Sequence, residues 1–183
     1  RSVFWPALLD GRRLESFCAK HLPETFAQLR LPFAAIATAL PSKQAVTITE
    51  GDLASAISAS CAMRVIRRSV IREGQRLKDG GIACVLPAIV CRELGAEIII
   101  SSDVWELSSL LRGMGYLTSQ SRAKRLYPSH YRVALRYTDL LIQPPIPAAG
   151  YVPGTAAVER MVAAGERAAH HALAQLAETE TRE

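Results

Sequence analysis

Residues 75–104 read QRLKDGGIACVLPAIVCRELGAEIIISSDV, and the breaks within that stretch decide what kind of chain this is. Asp79-Gly80-Gly81 puts a carboxylate on a tight turn, and the two glycines let the backbone approach a neighbour or a ligand closely. In isolation the same three residues would be read as the closing turn of a hairpin. A strand-like start at Ile82 leads to Pro87, placed where the first turn of a helix tolerates proline, and to Gly95, placed where a helix ends in the left-handed conformation. Glu97 to Asp103 then reads as a strand buried on both faces.

The flanks extend the same alternation. Residues 1–30 carry helical apolar spacing through Leu14, Phe17, Cys18, Leu22, Phe26 and Leu29, broken by Pro6 and Pro23. Leu31 to Leu40 is a short apolar run, and Ala45 to Thr49 alternates like a strand. Pro41-Ser42-Lys43-Gln44 between them has turn chemistry and predicts a hairpin or a tight strand connection. Thr49 and Asp52 have capping-box spacing, so a helix should open there and run to about Ala62. Arg67 to Lys78 reads as two short polar strands around Glu73-Gly74. On the carboxyl side the spacing predicts helices over Val104 to Leu111 and Ser119 to Leu135, then a strand over Asp139 to Gln143. After the prolines at 144, 145, 147 and 153, a last helix places Val158, Met161, Val162, Ala169, Ala172, Leu173 and Leu176 on one face. Strands alternating with helices predict an α/β sandwich with a mainly parallel sheet.

Composition narrows the function. Of 183 residues, 49% are apolar and 21% charged, the balance of a globular protein. Twenty-two Lys plus Arg against seventeen Asp plus Glu leave a net charge of +5, which favours anionic surfaces. The longest nearly pure apolar run, Ile82 to Cys91, is about half of what a membrane-spanning helix needs. Cys18, Cys61, Cys84 and Cys91 form no CxxC pair and are read as reduced thiols of a cytoplasmic protein. No metal and no cofactor is expected, because no Cys, His and carboxylate cluster has ligand spacing; His170 and His171 are adjacent and face different directions on a helix. Arg122, Lys124, Arg125, Arg132 and Arg136 read as the wet side of a helix. Neither this stretch nor the basic run from Arg64 to Lys78 carries the interleaved aromatics of a nucleic-acid binder, so no nucleic acid is expected.

Four pieces, in this order, carry a resemblance: LPFAAIATAL (31–40), GDLASAISASCAM (51–63), the 75–104 stretch, and DLLIQP (139–144) followed by Gly165-Glu166-Arg167-Ala168-Ala169. Together they resemble the patatin-like phospholipase family over nearly the whole chain. The resemblance implies a three-layer α/β/α sandwich and a serine acyl-ester hydrolase working through a Ser–Asp dyad, with Asp79 as the aspartate and Gly80 and Gly81 as its active-site loop. It implies a lipid or other acyl-ester substrate. The family's G-x-S-x-G elbow and glycine-rich oxyanion loop, which precede the region matched here, are absent. The chain is therefore read as one patatin-like domain lacking its amino-terminal strands and holding the Asp half of the dyad.

The sequence departs from the family at Ala39, where Asp usually follows the threonine, at Arg64 and Ser69, where proline is usual, and at Val85, ahead of Leu86-Pro87, a stretch in which the family often has Asn before the proline. These departures keep an alternative open, a catalytically inactive module of the same fold that binds lipid or protein. Arg67, Arg68 and Arg72, in the basic run before Asp79, are candidate contacts for anionic lipid headgroups at a peripheral membrane surface. Ser58 and Ser60 lack elbow glycines and read as small packing residues.

Overall fold

In the structure, a computed structural model, residues 11–63, 67–104, 129–145 and 154–180 are described. The chain is mixed α/β and divides into two compact units, residues 1–90 and 91–183.

The first unit is built from two hairpins laid side by side. Strands β1 (Ala35–Leu40) and β2 (Ala45–Ile48) form one, and β3 (Val70–Arg72) and β4 (Gln75–Asp79) form the other. Their order is β2-β1-β4-β3, and every pairing in this sheet is antiparallel. Within each hairpin the short turn leaves no alternative, because a parallel connection needs a crossover of a dozen residues or more. At the second turn Glu73 and Gly74 both have positive φ, the backbone that a two-residue hairpin twisting with its strands demands.

Helix α1 (Gly11–His21) ends just before Pro23, where the sequence expects a break. Cys18 is its buried residue, whereas Phe17 is exposed and lies against the His21 ring. Helix α2 (Leu53–Ser60) packs on one face of the sheet, where Phe26, Ala35, Ala37, Leu53, Ala56 and Leu77 make the core. Its cap is Asp52, three residues later than Thr49, and the Asp52 carboxylate accepts from the Ser55 N–H. The shift follows from Gly51, whose φ of +79° turns the chain before the helix can start.

The expected strand-like start after the glycines is instead a 3-10 turn over Gly80–Ile82. The Asp79 carboxylate draws the Gly81 N–H to itself, and such side-chain bonds compete with extended pairing. Helix α3 (Ala88–Glu93) begins just after Pro87, and Gly95 has φ +92°, as the helix-ending glycine should.

In the second unit β5 (Ile100–Ser102) and β6 (Leu140–Ile142) pair in parallel. The expectation that Glu97 to Asp103 is buried on both faces is not met. Ile99, Ser101 and Asp103 are buried while Ile98 and Ile100 are 73% and 58% exposed, so the segment alternates. Alternate side chains leave a strand on opposite faces, and here only one of them is packed. Helix α4 (Ser129–Leu135) falls at the end of the span expected for the second helix; residues 105–128, with the rest of both expected helices, lie outside those described. The last helix, α5 (Thr155–Glu180), packs on β6. Its buried residues are Ala164 and Ala172, while Val158, Val162, Leu173 and Leu176 of the expected apolar face are exposed. Among the described residues no helix is long and apolar enough to cross a membrane.

Candidate functional site

Asp79 is the last residue of β4 and the cap of the 3-10 turn that follows. Three contacts fix its backbone. Its N–H donates to the Ala62 carbonyl at 3.1 Å, just past the end of α2. Its carbonyl accepts from the Thr38 hydroxyl at 2.7 Å, and it stands opposite Ala37 in the β1–β4 ladder. The side chain is half-buried. Oδ1 accepts from the Gly81 N–H at 2.8 Å, and Oδ2 carries no hydrogen bond among the described residues.

The two glycines have different reasons. A β-carbon on Gly80 would lie 2.7 Å from the Ile36 carbonyl carbon and nearer still to its oxygen, so the turn is pressed onto the backbone of β1. A β-carbon on Gly81 would lie 3.0 Å from Asp79 Oδ1 and would push the carboxylate aside. The close backbone approach inferred from the sequence is therefore present at Gly80, although its partner is the protein's own strand.

Thr38 is the residue here that sequence reasoning missed. It is fully buried, on the face of β1 opposite the apolar core. A lone hydroxyl in the run Ala-Ile-Ala-Thr-Ala was the available signal, since a buried polar group demands a partner. Ala39, where the family resemblance has a carboxylate, packs against the apolar core.

The three arginines separate. Arg67 donates to the Cys61 carbonyl at 3.1 Å, the Gly11 carbonyl at 3.3 Å and the Ser58 hydroxyl at 3.4 Å, tying α1 to the end of α2. Arg72 donates to the Asp52 carbonyl at 3.0 Å and to the Glu50 carbonyl, clamping the loop that opens α2. Both guanidiniums are thus engaged with backbone. Arg68 is exposed. Ser58 is completely buried and serves as an acceptor for Arg67, in keeping with a packing role.

Cys61, at the end of α2, lies within electrostatic reach of Asp79. Burial pushes its thiol pKa up; Arg67 opposes that, and the negative charge of Asp79 and the neighbouring Cys18 add to it. Burial likewise raises the Cys84 thiol, partly offset by a hydrogen bond from the Leu86 backbone.

In the second unit Asp103, 5% exposed, is held by the Tyr131 hydroxyl and by the Gln143 amide at 2.9 Å. Asp103 and Gln143 follow β5 and β6 at their carboxyl ends, and Tyr131 on α4 closes the cluster. The sequence marked Asp103 only as the end of a strand. Among the described residues no three His, Cys, Asp or Glu side chains stand close enough to hold a metal ion. A scan against protein-family models finds none that matches this chain.

Proposed function

We propose that this chain carries the aspartate half of a Ser–Asp acyl-ester hydrolase of the patatin-like type, acting on a lipid or related acyl ester. The observation that supports the reading is the Asp79 turn. Its backbone is fixed at both ends, one carboxylate oxygen is held by Gly81, and the other has no hydrogen bond among the described residues and so can receive a proton.

A serine hydroxyl is a weak nucleophile until a neighbour accepts its proton. In the proposed reaction Asp79 Oδ2 takes the proton as the serine oxygen attacks the ester carbonyl. Backbone N–H groups stabilise the oxyanion. Asp79 then returns the proton to the departing alkoxide, which leaves as an alcohol. Water attacks the acyl-serine, Asp79 accepts its proton and passes it to the serine oxygen, and the free acid is released. The serine lies outside residues 1–183, because no G-x-S-x-G segment occurs among them. The three-layer α/β/α sandwich belongs to the same proposal, with β5–β6 as part of its parallel sheet. So does peripheral contact with anionic lipid, for which Arg68 is the exposed member of the arginine trio.

The test is fluorophosphonate labelling of the full-length protein, followed by peptide mapping and by kinetics of Asp79→Asn. The reading expects a label on a serine of a G-x-S-x-G segment and a loss of p-nitrophenyl ester turnover of about 10²–10⁴-fold in Asp79→Asn. An unlabelled protein that binds liposomes without hydrolysing esters would instead make this fold a binding module.

A further inference from the structure

We propose that Thr38 is the positioning residue of Asp79, and that its hydroxyl sets where the carboxylate points. The inference rests on the hydrolase reading for its consequence in turnover but not for its geometry.

Thr38 comes from the middle of β1, 41 residues before Asp79, and is 0% exposed. Its hydroxyl donates to the Asp79 carbonyl at the point where β4 stops being a strand and the 3-10 turn begins. Beyond that point the chain has no ladder to guide it. Asp79 still stands opposite Ala37, but Gly80 is already the first residue of the 3-10 turn. Two constraints from β1 therefore act on two consecutive residues. The Ile36 backbone sets how closely Gly80 can approach, and the Thr38 hydroxyl holds the carbonyl just before it. Between them they fix the peptide plane joining Asp79 to Gly80, and with it the Gly81 N–H that holds Oδ1.

A buried hydroxyl aimed at a carbonyl differs from an apolar filler of equal shape. Valine would fill the same volume, yet leave the Asp79 carbonyl without that donor and free to rotate. Serine would keep the bond and lose a methyl group. The two variants thus separate positioning from packing.

The experiment compares Thr38→Val and Thr38→Ser in the full-length protein, reading ester turnover and hydrogen exchange at the Gly81 amide. In Thr38→Val we expect kcat to fall about tenfold with KM unchanged, and Gly81 exchange to quicken by a similar factor, as for the loss of one hydrogen bond. Thr38→Ser should restore both to within about threefold. Normal Gly81 exchange in Thr38→Val overturns the proposal, as does a serine variant no better than valine. If the wild-type protein turns over no ester, the hydrolase reading falls, and the exchange data alone decide whether Thr38 positions the turn.

Discussion

Replacing Gly80 with alanine tests whether the Asp79 turn is really seated on β1. The added β-carbon would lie 2.7 Å from the Ile36 carbonyl carbon and 3.2 Å from the Ile36 β-carbon. Ordinary carbon–carbon contact begins near 3.5 Å, so turn and strand would have to part by at least about 0.8 Å, and further to clear the Ile36 oxygen. Neither side yields easily. Ile36 lies in β1, which is paired on one edge with β2 and on the other with β4, and moving it strains both ladders. Overpacking of this kind costs about 1–3 kcal/mol, and a clash between two backbones belongs at the upper end. With a urea dependence of about 2 kcal/mol per M, the unfolding midpoint should fall by about 1.5 M. Far-UV circular dichroism through a urea titration reads that shift directly. Gly81→Ala is the control, since its β-carbon meets only the end of the Asp79 side chain at 3.0 Å. It should leave the midpoint within about 0.3 M of wild type while displacing the carboxylate and lowering turnover. A Gly80→Ala protein as stable as wild type would refute the seating, and so would equal losses in the two variants.

Three further outcomes follow from the same geometry. Arg72→Met removes the donors to Glu50 and Asp52 and should destabilise by about 1.5–3 kcal/mol while leaving vesicle binding alone; Arg68→Ala should do the reverse, which denaturation and co-sedimentation with anionic vesicles would separate. Tyr131→Phe takes a donor from the buried Asp103 and should cost about 1–3 kcal/mol in chemical denaturation, more than a Tyr→Phe change at the exposed Tyr137. The raised pKa values of Cys61 and Cys84 leave less thiolate at neutral pH, so iodoacetamide should modify both more slowly in the folded protein than in urea, as peptide mapping would register.

Local chemistry was the legible part of this chain. Turn residues at 41–44 and 73–74 announced both hairpins, Pro23 and Gly95 marked helix ends, and the glycine pair announced a close backbone approach. What the sequence withheld depended on partners distant along the chain. Arg67 and Arg72 read as candidate headgroup contacts because nothing nearby says that carbonyls at 11, 50, 52 and 61 will accept their hydrogen bonds. Thr38 read as one residue of an apolar run because its acceptor lies 41 positions away. The triple isoleucine at 98–100 read as doubly buried, since composition records apolar character but not which face finds a neighbour. At the candidate site the tight Asp79-Gly80-Gly81 turn was thus legible in the sequence, and the hydroxyl that bonds the Asp79 carbonyl was not.

The order β2-β1-β4-β3 also bears on how this unit is made. Each hairpin closes over only a few residues, and such local closures take about 1–10 μs. Joining β1 to β4 is a different event, because it brings Ala37 to Asp79 across the intervening β2, α2 and β3. Contacts of such sequence separation bear the largest loop-closure entropy and tend to govern folding rate. The constraints that β1 places on the Asp79 turn, from Thr38 and Ile36, are made across that seam. Either hairpin alone lacks those two constraints, so the carboxylate acquires its full setting only when the two hairpins have joined.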